Sequence, residues 1–134
     1  MDAETTRHSV SRVRVRYAET DQMGVVYHAN YFVWFEVGRT DWLREAGLTY
    51  RQLETEGLFL PVTEARCKYL ASARYDDDLE IQTTATLVSP VRVGFEYTLT
   101  GPAGVLATGA TVHATLDRQG RPIRVPDRIK EFLR

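Results

Sequence analysis

Residues 29–46 repeat with a helical period, and almost everything after them alternates with period two. Tyr31, Phe35, Gly38, Trp42 and Ala46 recur at helical spacing, and Trp34 and Leu43 widen the stripe. Glu36, Arg39, Asp41, Arg44 and Glu45 lie largely on other faces. A helix carrying that much aromatic surface has to be covered by a sheet or a partner. Gly38 costs helix stability unless close packing needs it, so it marks a place where the helix meets a sheet closely. Gly47 suits the C-terminus of this helix. Thr49 and Gln52 have the spacing of a capping box for a short helix that stops near Gly57.

Before the helix, Val13, Val15 and Tyr17 alternate with Arg12, Arg14 and Arg16, the pattern of a half-buried strand with a charged, solvated face. Those arginines would also protect an exposed sheet edge. After it, Thr63, Ala65, Cys67 and Tyr69 oppose Glu64, Arg66 and Lys68. Leu79, Ile81, Thr83, Ala85 and Leu87 form a second apolar face, and Val91, Val93, Phe95, Tyr97 and Leu99 a third. Residues 105–117 read as the last long strand, with Leu106, Ala110, Val112, Ala114 and Leu116 on one apolar face. Turns fall at Ser89-Pro90, at residues 101–104 and at residues 117–120, and Pro126 opens a terminal helix over 127–133. Residues 1–7 read as a polar tail. Consecutive strands joined by short turns pair antiparallel, and the apolar helix must lie on the sheet they form. The expectation is one α+β domain over residues 1–134.

A net charge of −1 gives no electrostatic case for nucleic acid or an anionic membrane as partner. The single cysteine, Cys67, excludes an internal disulfide and reads as a small buried apolar residue. No run is long and apolar enough to serve as an integral membrane segment, and a cytoplasmic location is expected. His8, His28 and His113 are far apart in sequence, and no Cys, Asp or Glu grouping adds metal-ligand spacing, so no metal site is expected. Asp76-Asp77-Asp78 lacks a calcium-loop pattern and reads as a polar turn.

The chemistry concentrates in residues 17–36. A carboxylate, Asp21, precedes a short loop that runs through Tyr27 and His28 into the helix. A helix N-terminus carries unpaired N–H groups that polarise a carbonyl or hold a developing oxyanion. A carboxylate beside such an end suits acyl transfer. An Asp in a loop before a helix is most often a cap or turn residue, and on Asp21 alone that structural role carries more weight. Glu36 reads as a solvent-facing or salt-bridging residue.

The pattern Asp21-x-x-Gly24-Val25-Val26-Tyr27-His28-x-Asn30-Tyr31, followed by Glu36, resembles the signature of hotdog-fold acyl-CoA thioesterases, in particular the 4-hydroxybenzoyl-CoA thioesterase-like group. The resemblance covers about residues 8–130. It implies a curved antiparallel sheet wrapped around one long helix, with protomers pairing through sheet edges into homodimers or homotetramers and acyl-CoA sites at the interface. It implies hydrolysis of acyl-CoA with Asp21 as nucleophile or general base and the His28 amide, with its neighbours, polarising the carbonyl. The His28 side chain is then a catalytic candidate. Gly24, Val25, Tyr27, Asn30, Tyr69 and Arg74 become candidates for substrate contact, with Asn30 also serving the first helical turn. Ser72, Arg92 and Arg121 are further candidates for the CoA phosphates. No cofactor is expected, because CoA is part of the substrate. A noncatalytic acyl-CoA-binding hotdog protein is the alternative, and a hotdog dehydratase ranks lower because the helix lacks the expected His/acid arrangement.

Overall fold

The computed structural model describes residues 8–133, so the polar N-terminal stretch lies outside the described residues. Strand β1 (His8–Arg14) comes first, then helix α1 (Asn30–Glu45) and a short helix α2 (Tyr50–Thr55). Strands β2 (Val62–Tyr69), β3 (Asp78–Ser89), β4 (Arg92–Gly101) and β5 (Gly104–Ala114) follow, and α3 (Asp127–Lys130) comes last. All pairings are antiparallel, in the order β1-β3-β4-β5-β2. This is the α+β hotdog architecture, with α1 lying along one face of the sheet.

Aromatic packing fixes where α1 sits. Phe35 and Trp42 are fully buried; Phe35 stacks on Tyr97 of β4 at 4.4 Å and 7°, and Trp42 meets Phe95 edge-on at 5.7 Å. The Phe35 ring occupies the space above Gly109 of β5, where a Cβ would collide with it. Gly38 rests on β3, where an added Cβ would overlap Thr83 Oγ1 and come within 3.0 Å of Ile81 Cγ2. Both glycines lower the helix onto the sheet. At the end of α1, Thr49 caps α2 by accepting the Gln52 N–H at 3.0 Å. The return arm of the expected capping box differs: the Gln52 side chain takes the Thr49 hydroxyl at 3.2 Å instead of the Thr49 backbone.

The inward residues of β3 and β4 are those the alternation predicts, with Leu79, Ile81, Thr83, Ala85, Val93, Phe95, Tyr97 and Leu99 all buried. The inward face of β5 is the opposite of the expected one. Gly109 lies beneath Phe35 of α1, and Ala107, Thr111 and His113 share its face of the strand, while Ala110, Val112 and Ala114 are on the other face. Two causes combine. The register slips between Leu99 and Thr100, so Leu106 and Ala107 are both buried and the alternation is interrupted. The space over the strand is already taken by Phe35, so small residues stand where large apolar ones would clash. Tyr17 also departs from expectation. The strand ends at Arg14, a 3-10 turn spans Tyr17–Glu19, and Tyr17 is 77% exposed.

Both sheet edges are charged, in different ways. On β1, Arg12 pairs with Glu80 (3.2 Å) and Arg14 with Asp78 (2.8 Å). On β2 almost every residue is exposed, and this edge strand lies along β5 with its outer side open.

A buried polar chain joins the sheet to the segment leading into β2. His113 Nδ1 lies 2.9 Å from the Leu60 carbonyl and Nε2 lies 2.9 Å from Thr111 Oγ1. A carbonyl only accepts, so Nδ1 carries the proton and neutral Nε2 accepts from the Thr111 hydroxyl. Thr111 Oγ1 then has to accept the Tyr97 hydroxyl at 2.7 Å. Arg39 of α1 faces this Tyr97 hydroxyl. Burial holds His113 below its ordinary 6.5; Arg39 adds to that, and the Leu60 carbonyl opposes it.

Two outcomes follow from this packing. The unfolded chain protonates His113 at a higher pH than the folded chain, so this contribution to stability is whole above about pH 6.5 and is lost as pH falls below it. Urea midpoints are expected to be level from pH 8 to 7 and to fall below 6.5, with the fall reduced in His113→Gln; an unchanged slope in that variant refutes the assignment. Gly38→Ala gains about 1 kcal/mol of helix propensity but overpacks against Thr83 and Ile81 at about 1–3 kcal/mol. The net effect is destabilising, and a raised thermal midpoint would show that α1 can lift off the sheet.

Candidate active site

The Asp21 loop is a tight turn built mainly from backbone. Asp21 N–H donates to the Val25 carbonyl (2.8 Å), and Gly24 N–H donates to the Asp21 carbonyl (3.0 Å). Gly24 sits at φ 82°, a conformation that costs glycine nothing. Asp21 Oδ1 accepts Met23 N–H at 2.8 Å and Val25 N–H at 3.4 Å, so one carboxylate oxygen performs the turn role that its sequence context suggests. Among the described residues, Oδ2 has no partner.

Both arms of the loop close on the Glu19 carbonyl, which accepts Tyr27 N–H and the Asn30 side-chain amide, each at 2.9 Å. Glu19 is itself buried, with Oε1 accepting Arg16 N–H at 2.7 Å. Val26 N–H donates to the Ala73 carbonyl at 2.9 Å, and Val25 bridges to Arg74, which ties the loop to residues 71–75. The Tyr31 hydroxyl accepts Ala73 N–H at 3.2 Å and makes a second tie.

Helix α1 begins with 3-10-type bonds: Asn30 N–H to Tyr27 (3.0 Å), Tyr31 N–H to His28 (3.3 Å) and Phe32 N–H to Ala29 (3.2 Å). Among the described residues, the N–H groups of His28 and Ala29 have no partner, and Ala29 supplies no side-chain cap. These amides sit at the positive end of a 16-residue helix.

A hollow opens in front of this helix end. Asp21, Val25, Val26, His28 and Tyr31 form one side, and residues 69–72 form the other. Tyr69 stands at the end of β2, donates its hydroxyl to the His28 carbonyl (3.0 Å), and packs edge-on against Tyr31 (4.9 Å) and His28 (6.2 Å). Burial pushes its hydroxyl up to about 12, so it stays protonated. The His28 imidazole has no hydrogen-bond partner among the described residues and touches Tyr27 at 4.5 Å.

Asp21, Val25, His28 and Tyr69 therefore share one hollow, as does Ser72. Gly24 shapes the turn, Tyr27 is exposed beside His28, Asn30 secures Glu19, and Arg74 is exposed next to Val25. Glu36 lies in a shallow groove on the outer face of α1 with Val33, Val37 and Arg44, apart from the hollow. Tyr31 was legible as part of the apolar stripe and of the motif, but with no role in the site; a hydroxyl in the first helical turn was the available signal for its second role. Among the described residues, no three His, Cys, Asp or Glu side chains gather as a metal site. Burial raises the Cys67 thiol above its ordinary value, the opposite of an activated nucleophile.

The thioesterase-like superfamily matches residues 15–133, which takes in the hollow, α1 and the whole sheet after β1. The chain belongs to this superfamily. The acyl-CoA thioesterase YbgC of Haemophilus influenzae is 33% identical over 120 residues, covering 88% of each chain. The acyl-CoA thioester hydrolase YbgC of Escherichia coli is 37% identical over 100 residues, covering 75% of each. Among solved structures, the DHNA-CoA thioesterase of Staphylococcus aureus superposes with a TM-score of 0.83 at 34% identity, covering 87% of this chain and 80% of that one. The hollow is thus a superfamily member's cleft with a carboxylate on one side and open amides at a helix end.

Proposed function

We propose that this chain hydrolyses an acyl-CoA thioester to a carboxylic acid and free CoA at the Asp21 hollow. The observation that carries this reading is that Asp21, whose Oδ2 has no partner among the described residues, shares one cleft with His28, where α1 begins with two N–H groups, those of His28 and Ala29, that have no partner among the described residues. A thioester carbonyl seated there places its oxygen at the helix end. Asp21 either attacks the carbonyl carbon, giving an anhydride that water opens, or takes the proton of an attacking water. The oxyanion of the tetrahedral species is received by the amide N–H groups. The C–S bond then breaks and CoA leaves as a thiolate, a good leaving group that needs little acid assistance. The His28 imidazole, with no hydrogen-bond partner among the described residues, is placed to orient water or carry the proton.

A second copy completes the site in this reading. The outer edge of β2 is open, and Tyr69 and Leu70, at the end of that strand, are both exposed and border the hollow. Antiparallel pairing along β2 would cover that edge and bring a partner surface to the cleft. Light scattering at micromolar concentration is expected to give at least twice the 15.3 kDa chain mass. An active monomer would remove the shared-site element.

Asp21→Asn preserves an oxygen for the Met23 and Val25 amides, so the turn is expected to survive. The rate constant for thiol release should fall by at least about two orders of magnitude, the lower range for a lost general base. Acyl-CoA binding should persist. Glu36→Gln, on the outer face of α1, should change turnover far less. A folded Asp21→Asn enzyme with near-normal turnover overturns the mechanism, and acyl-CoA binding by the wild type without thiol release points to a noncatalytic binding protein.

A further inference from the structure

The His28–Ala29 peptide unit is held on one side and open on the other. Its carbonyl accepts the Tyr69 hydroxyl at 3.0 Å and Tyr31 N–H at 3.3 Å. Its N–H, on Ala29, has no partner among the described residues. In a trans peptide the C=O and N–H point in opposite directions, so whatever fixes the carbonyl also aims the amide. Hydrogen bonds accepted by a carbonyl also polarise the N–H of the same unit, by about 10–30% per bond.

Tyr31 N–H alone holds this carbonyl loosely, since 3.3 Å lies beyond the usual range for such a bond. The shorter bond comes from outside the helix. Tyr69 is the last residue of β2, and the chain just beyond it is pinned by Leu70 N–H and Ala71 N–H, both donating to the Leu106 carbonyl at 2.8 and 3.1 Å. The Tyr69 ring is steadied by its edge contacts with Tyr31 and His28.

We propose that Tyr69 is a positioning residue for the oxyanion donors: by holding the His28 carbonyl it aims and polarises the Ala29 N–H, making Ala29 a second donor beside His28. This rests on the hydrolase reading above and extends it. It also connects the open edge strand to the reacting carbonyl, because the group that orients the peptide belongs to β2 rather than to α1. A substrate-contact role for Tyr69 makes a different forecast, since it loads the effect onto binding.

Tyr69→Phe removes the hydroxyl and keeps the ring. With the wild-type chain releasing thiol from an acyl-CoA such as benzoyl-CoA, the variant is expected to lose about tenfold in kcat with KM within about twofold, the scale of one hydrogen bond realised in the transition state. In the unliganded protein, the Ala29 amide nitrogen resonance should move upfield while the resonances of α2 stay in place, a readout independent of turnover and of gross folding. A raised KM at constant kcat, an unchanged kcat, or an unmoved Ala29 resonance each overturns the proposal. Absence of thiol release by the wild type would instead sink the hydrolase reading, and this inference with it. Wild-type release matched by the variant sinks this inference alone.

Discussion

The contact of Phe35 with the bare backbone at Gly109 sets the height of α1 above the sheet, and the rest of the molecule is arranged around that height. Face-on stacking on Tyr97 fixes the helix sideways, and Gly38 against Thr83 fixes it again one turn later. Each large buried ring contributes about 1.5–3 kcal/mol through its apolar area alone. The same contacts locate the N-terminus of the helix, where the His28 and Ala29 amides are. Aromatic packing in the core and the position of the amide donors are thus one constraint seen at two ends of a single rigid rod.

Much of this could be read in the sequence because it depends on local periodicity. The α1 stripe, the inward residues of β3 and β4, the turn at Ser89-Pro90 and the close approach at Gly38 all follow from spacing and residue size. The inward face of β5 did not, since it is shaped by a ring on another element and by a register slip against β4 that leaves Leu106 of β5 as an extra residue. Tyr17 misled because alternation continued in the sequence for three residues after the strand had ended. In the site, Asp21 and His28 stood out through their order before the helix. The Tyr69 bond to His28 spans 41 positions, and only the fold brings those residues together.

The two readings of Asp21, turn residue and reacting group, are compatible because its two oxygens are not equivalent. Oδ1 is spent on the Met23 and Val25 amides, and that anchoring holds the carboxylate still. A free side chain would lose rotamer entropy on reaching a reactive pose, whereas an anchored one has already lost it in folding. The statistical preference for Asp in turns and the reacting role proposed for Asp21 draw on the same short, rigid geometry.

The Asp21 loop is closed chiefly by main-chain bonds: Asp21 to Val25, Gly24 to Asp21, Val26 to Ala73 and Tyr27 to Glu19. The side chains of Gln22 and Met23, both exposed, take no part in that closure. Such a loop separates what must be inherited from what is free to drift. The side chains at Gln22 and Met23 can be exchanged without disturbing the carboxylate, so the surface of the loop and the position of Asp21 are physically independent.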